Sequence, residues 1–227
     1  MKAITGMLVV AMIAGPVLGG DKSSKESKKL QRAEAVLKAS LEAPDKGIPQ
    51  STLEKAECVG VFPDVKKGAF IVGGQGGSGV FTCRDASGAM GAPAFFRIGG
   101  GSVGWQFGGE ETDLVLLVMN DGGMSHLLKN HFKIGAEATA TGGPVGRTAQ
   151  AATDAQLHAQ ILSWSRTQGA FLGAALDGSV ISTDADANQA VYGKDVSAKS
   201  ILIDHKVQPP AAATAFLQTL NAKANRG

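Results

Sequence analysis

Glycine constrains this chain more than any other residue type: 31 of its 227 residues are glycine, and they follow no three-residue period. A collagen-like helix is therefore excluded, and the glycines must serve turns, bulges and close backbone approaches. They separate short runs rich in β-branched and aromatic residues. These runs are Cys58-Val-Gly-Val-Phe62-Pro63, Ala69 to Val72, Val80 to Cys83, Ala92 to Ile98 and Val103 to Phe107. Such runs read as the strands of a meander. The length suits one well-buried domain.

Further elements follow from periodicity. Leu114 to Met119 is almost continuously apolar and predicts a strand buried on both faces, followed by a short helix over Gly123 to His131. Phe132, Ile134, Ala136, Ala138 and Ala140 alternate with Lys133, Glu137, Thr139 and Thr141, the pattern of one strand with a covered face. Gly142 to Gly146 turns the chain, and the Ala- and Gln-rich stretch 147–160 stays undecided between helix and strand. Ile161 to Arg166, Ala170 to Leu176 and Ser179 to Ser182 read as paired strands. Asp184 to Tyr192 predicts a helix stopped by Gly193, and Ala211 to Ala222 a terminal helix with Phe216, Leu217 and Leu220 on one side.

The N-terminal region divides into three parts. Lys2, the apolar run Ala3 to Leu18 and the small residues Val17 and Gly19 form the pattern of a secretory signal over residues 1–19. Residues 20–29 read as a lysine-rich, mobile lead-in, and a single domain over 30–222 follows. Within it, Leu30, Ala33, Val36, Leu37 and Leu41 recur at helical spacing and define an amphipathic helix ended by Pro44. Its Leu stripe has two uses, packing onto the domain or lying on a membrane surface. Ser51 and Glu54 form a capping-box pattern for a short helix. Export makes Cys58 and Cys83 a disulfide candidate, with two buried free thiols on adjacent strands as the alternative.

Several chemistries lose support. Lys+Arg 22 against Asp+Glu 20 leaves no strongly basic balance, so nucleic acid is not an expected partner. Gly74 to Gly79 and Gly99 to Gly104 both fit G-x-G-x-x-G, but β-like residues follow each where a dinucleotide site needs a helix. Ser102 stands in a G-x-S-x-G pattern with the same β-like continuation, so a serine-hydrolase reading ranks last. Asp184-Ala-Asp186-Ala-Asn188 resembles the start of a calcium loop but lacks its glycine and its glutamate. The four histidines, at 126, 131, 158 and 205, have no metal-site spacing. No cofactor or metal is expected.

A longer succession is more specific. Ala56-Glu-Cys-Val-Gly-Val-Phe-Pro63, Lys66-Lys-Gly-Ala-Phe-Ile-Val-Gly-Gly74, Gly101-Ser-Val-Gly-Trp-Gln-Phe-Gly108 and Thr112-Asp-Leu-Val-Leu-Leu117 keep a fixed order with Gly143-Pro-Val-Gly-Arg147, Ser163-Trp-Ser-Arg166, Leu176-Asp-Gly-Ser179 and Ala190-Val-Tyr-Gly193. This order resembles the SYLF domain family over about residues 30 to 222. The resemblance implies a module that binds phosphoinositide or another anionic lipid, labelled actin-binding in yeast relatives, and it carries over no catalytic constellation. Many members have a tryptophan before the segment that stands here as Ala92-Pro-Ala94, where this chain has Gly88-Ala-Met-Gly91, and Trp164 stands where tyrosine is usual.

The reading is an α+β fold, a glycine-rich and mainly antiparallel sheet flanked by an N-terminal amphipathic helix and a C-terminal helix. Its expected function is non-enzymatic binding of anionic lipid at a membrane surface by an exported protein. Phosphate headgroups would be held by Lys66, Lys67, Arg84, Arg97, Arg147 and Arg166 and by glycine-turn N–H groups. An envelope structural or protein-interaction module is the alternative.

Overall fold

Side chains along the central strands alternate between two apolar faces, and helices cover both. A computed structural model describes residues 20–43, 47–68, 74–101, 111–144, 158–167, 170–174 and 176–224. Helix α1 (Gly20–Glu42) and the short α2 (Gln50–Lys55) precede strands β1 (Cys58–Gly68), β2 (Gly74–Cys83), β3 (Ala94–Gly101) and β4 (Glu111–Val118). Helix α3 (Asp121–Leu127) leads to β5 (His131–Lys133) and β6 (Ala140–Gly142). Strands β7 (Ile161–Thr167), β8 (Ala170–Gly173) and β9 (Val180–Thr183) follow, then α4 (Ala185–Tyr192), α5 (Ala198–Leu202) and α6 (Thr214–Ala224).

The strands form one sheet in the order β5-β9-β3-β2-β1-β4-β7-β6, with β8 also paired to β7. Every pairing is antiparallel except β6 with β7. This is the expected α+β architecture with a helix at each end of the chain. From β1, Val59 and Val61 point to the side where Leu30, Ala33 and Leu37 of α1 and Phe216 and Leu220 of α6 are buried. Cys58 and Phe62 point to the opposite side, against Leu127 of α3 and Ile201 and Leu202 of α5. The Leu stripe of α1 therefore packs on the domain, each buried leucine contributing about 1.5–3 kcal/mol.

Glycine makes this packing possible at defined positions. The Phe81 ring lies over Gly60, its cross-strand partner, where a Cβ would lie 2.4 Å from the ring. Phe81 then meets Phe62 and Phe96 edge-on, with centroids 5.6 and 5.1 Å apart. Beside it Cys58 and Cys83, opposite each other in the β1–β2 register, are joined as a disulfide with Cα atoms 4.0 Å apart.

Several expectations need correction. Residues 22–29 belong to α1, so the helix starts well before its leucine periodicity; Glu26 and Lys29 pair at 2.7 Å and are buried, which extends the docked face. The Ser51 capping box does not form, because α2 begins one residue earlier behind Pro49, without a side-chain cap. Phe132 to Thr141 is two short strands around a turn rather than one, since Gly135 takes φ 86 and brings Ile134 back to bridge Ala138. Strand β9 pairs with β3 and β5 and not with β8. The meander runs β3-β2-β1 and then returns, so that β4 pairs with β1. Residues 103–107, 145–157 and Ser102 lie outside the described residues.

Candidate functional site

Pro63 starts the construction of the site. It lies in β1, a strand flanked on both sides, and has no N–H to give to either ladder, so the strand must bulge there. Between Val61 and Lys66 the strand advances five residues while β2 runs only from Val80 to Gly76, and β4 shows the same slip between Phe62 and Val65. The extra residue puts Asp64 in the left-handed region at φ 51. Its N–H donates to Asp113 Oδ1 at 3.1 Å, and Arg166 holds Asp113 Oδ2 through Nη2 at 2.6 Å and Nε at 3.0 Å.

The bulge turns the Asp64 carboxylate toward α1, where it meets Arg32 Nη1 at 2.7 Å. Beside this pair opens a cleft of about 400 Å³ between the first turns of α1 and the β1–β2 ribbon, lined by Lys25, Lys28, Lys29, Arg32, Lys66 and the glycines Gly76 and Gly77. Lys25, Lys28 and Arg32 recur at spacings of three and four and share the exposed side of α1. Lys29 points inward instead, paired with Glu26 and 5.3 Å above the Phe95 ring. Lys66 reaches Glu111 at 3.3 Å with both side chains more than half exposed. Neither Lys25 nor Lys28 forms an ion pair among the described residues.

Two further clefts adjoin the first. One, of about 330 Å³, lies where Lys25 and Lys29 face Arg97, Asp184 and Asp186. There Arg97 donates to both Asp184 oxygens at 2.8 and 2.7 Å, and this hydrogen-bonded carboxylate raises the guanidinium above its ordinary value. Asp184 Oδ1 also caps α4 by accepting from the Ala187 N–H at 3.2 Å. The other, of about 450 Å³, extends past Arg32 and Lys66 to Glu111, Asp113 and Arg166.

The expected headgroup residues are thus dispersed. Lys66 alone lies in the most cationic cleft; the Lys67 side chain and all of Arg147 lie outside the described residues. Arg84 is an internal clamp, donating to the carbonyls of Ala56, Gly88, Leu53 and Glu54 and so tying β2 to the end of α2. Arg97 and Arg166 are each committed to a carboxylate, and Arg166 also lies 5.3 Å over the Phe171 ring. Sequence reasoning missed Lys25, Lys28 and Arg32, which line this cleft. The signal was present in their helical spacing, but two of them fell in a stretch read as a mobile lead-in.

Among the described residues, no group of three or more His, Cys, Asp or Glu side chains is placed to hold a metal, and no helix is long and apolar enough to cross a membrane. Above the glycine backbone the cleft presents the ammonium groups of Lys25 and Lys28, without an ion pair among the described residues, beside the exposed pairs of Lys66 with Glu111 and Arg32 with Asp64. Such a set of cations is complementary to an anion with several acceptor oxygens.

Comparison with known proteins identifies the family of the chain. The family model for Ysc84, described as Las17-binding protein actin regulator, matches residues 99–223, more than half of the chain. The chain is 35% identical over 186 residues to an SH3 domain-containing protein of Schizosaccharomyces pombe, covering 79% of this chain and 43% of the relative. It is 30% identical over 183 residues to LAS seventeen-binding protein 3 of Saccharomyces cerevisiae, with 79% and 39% covered. It is 31% identical over 180 residues to SH3 domain-containing YSC84-like protein 1 of Mus musculus, with 79% and 52% covered. The chain spans about two-fifths to one-half of the length of these relatives.

Proposed function

Because this chain belongs to the Ysc84 (SYLF) family, a family named for binding, we propose that it is a non-enzymatic module that binds anionic lipid headgroups at a membrane surface. The observation that carries the reading is the set of Lys25, Lys28, Arg32 and Lys66 around one cleft, with no ion pair to Lys25 or Lys28 among the described residues. The chain as a whole has a formal charge of only +2, so attraction to an acidic surface must come from such a cluster. The apolar side of α1 is buried against the sheet and α6, and contact is therefore peripheral, through the polar side of the helix. The leader-like residues 1–19 support placing the protein outside the cytoplasm.

The test is flotation with phosphatidylcholine vesicles carrying graded phosphatidylserine. Reversing Lys28 and Arg32 to Glu removes two attractions and adds two repulsions, each about 1 kcal/mol near an anionic surface, so binding should weaken more than tenfold. It should also fall as salt shortens the Debye length from about 10 Å at 0.1 M to about 3 Å at 1 M. Equal binding by the double variant removes the site. A protein partner is the second reading, favoured by the name of the yeast LAS seventeen-binding relative, and it takes the lead if the parent ignores anionic vesicles at low salt.

A further inference from the structure

We infer that Asp64 is a built-in counter-ion that competes with the incoming phosphate for Arg32, and so sets the density of negative charge a surface must present before the cleft engages it. The inference rests on the headgroup reading above and adds a determinant of selectivity to it.

Three features make Asp64 more than a surface carboxylate. Its backbone is held in the left-handed region, φ 51, which aspartate visits far less readily than glycine. Its N–H is fixed by Asp113, and Asp113 in turn by Arg166, so β1, β4 and β7 together hold the carboxylate in position. The carboxylate then meets the Arg32 guanidinium, the one guanidinium among the described residues of the cleft, at 2.7 Å, with the arginine side chain 67% exposed and the aspartate 36%. A pair that open to water is weak, and a phosphate with several oxygens displaces it.

Engagement thus proceeds in two steps. Lys25 and Lys28 have no ion-pair partner among the described residues, and they meet a sparse anion first. Arg32 turns to phosphate only where enough charge accumulates to outcompete Asp64. An acidic surface above a threshold recruits all the cations of the cleft, and one below it recruits only the lysines.

Asp64→Asn tests this without disturbing the fold, since asparagine is the other common non-glycine occupant of left-handed backbone. Asp195→Asn is the matched control: it also lies in left-handed backbone at φ 68, it is exposed in the turn after α4, outside the cleft, and it changes net charge equally. Binding of parent and both variants is measured on vesicles with graded phosphatidylserine, with melting curves alongside. Asp64→Asn should bind about fivefold more tightly at intermediate phosphatidylserine and reach half-binding at a lower fraction, while Asp195→Asn follows the parent. If Asp64→Asn binds like the parent or less tightly, or if Asp195→Asn gains as much, the counter-ion role is wrong and the headgroup site stands. If no protein binds even the most acidic vesicles, both readings fail together.

Discussion

Replacing Asn188 tests how α4 is fixed to the sheet above Phe95, the ring that supports Lys29. Asn188 is buried, its Oδ1 accepting from the Phe95 N–H at 2.8 Å and its Nδ2 donating to the Phe95 carbonyl at 3.1 Å. The side chain continues the ladder of β3 where β9 has ended, since the β3–β9 register starts at Phe96. Asn188→Ala leaves the Phe95 N–H without this acceptor, while the Phe95 carbonyl keeps the Asp184 N–H at 3.0 Å. One orphaned donor dominates the cost, about 2 kcal/mol, a drop of about 4–8 °C in Tm for a chain of this size. Asn188→Asp has a different signature. Its carboxylate can still accept from the N–H but has no proton for the carbonyl, and burial raises its folded-state pKa above the unfolded value of about 3.9. The unfolded chain then loses its proton first, so the variant is most stable below about pH 4 and loses stability as pH rises through the folded pKa. Thermal melts of parent, Asn188→Ala and Asn188→Asp across the acid range read both effects. A pH-independent difference between Asn188→Asp and the parent, or a Tm for Asn188→Ala equal to that of the parent, would refute the reasoning.

Gly60→Ala drives a methyl group against the Phe81 ring and should destabilise by about 1–3 kcal/mol, read as a lower urea midpoint; an unchanged midpoint shows that the ring has room to move. Replacing Cys58 and Cys83 together by Ala releases a loop with a sequence separation of 25 and should cost about 3–4 kcal/mol in denaturant titration, with no effect expected only if the thiols are not joined. The Asp85 carboxyl is held below the usual range, chiefly by the Ser87 hydroxyl with help from the Ser87 and Ala89 N–H groups. Its contribution is complete above the unfolded-state value and is lost as pH falls through the lower folded value, so Asp85→Asn should flatten the stability curve below about pH 4. N-terminal sequencing of exported protein should begin at Gly20 or Asp21, and an intact Met1 there removes the leader.

Legibility in the sequence followed the range of the interaction. Asp184 and Gly193 mark the ends of α4 because a cap and a stop act within one turn of helix, and the run Leu114 to Met119 reports its own burial on two faces. The pairing of β9 with β3 in place of β8 depends on residues some 80 positions apart, and neither strand's composition prefers one neighbour over the other. Gly135 shows the limit of periodicity. Ile134 and Ala138 keep the same face in a straight strand and in the bridged turn that the chain makes, so the alternation fits both.

The cleft was hidden for a related reason. Arginines read as free ligands became structural wherever the fold brought an acceptor: Arg84 found four carbonyls, Arg97 found Asp184 and Arg166 found Asp113. A guanidinium has five donors in a fixed fork, and burial beside carbonyls or a carboxylate satisfies it before any ligand arrives. Lys25 and Lys28, on an exposed helix face, meet no such acceptor among the described residues. Arg32 stands between the two cases. Its one partner exists because Pro63 breaks the ladder of β1 and Asp64 fills the bulge, so a backbone defect two residues long decides whether the most selective cation of the cleft is committed or free.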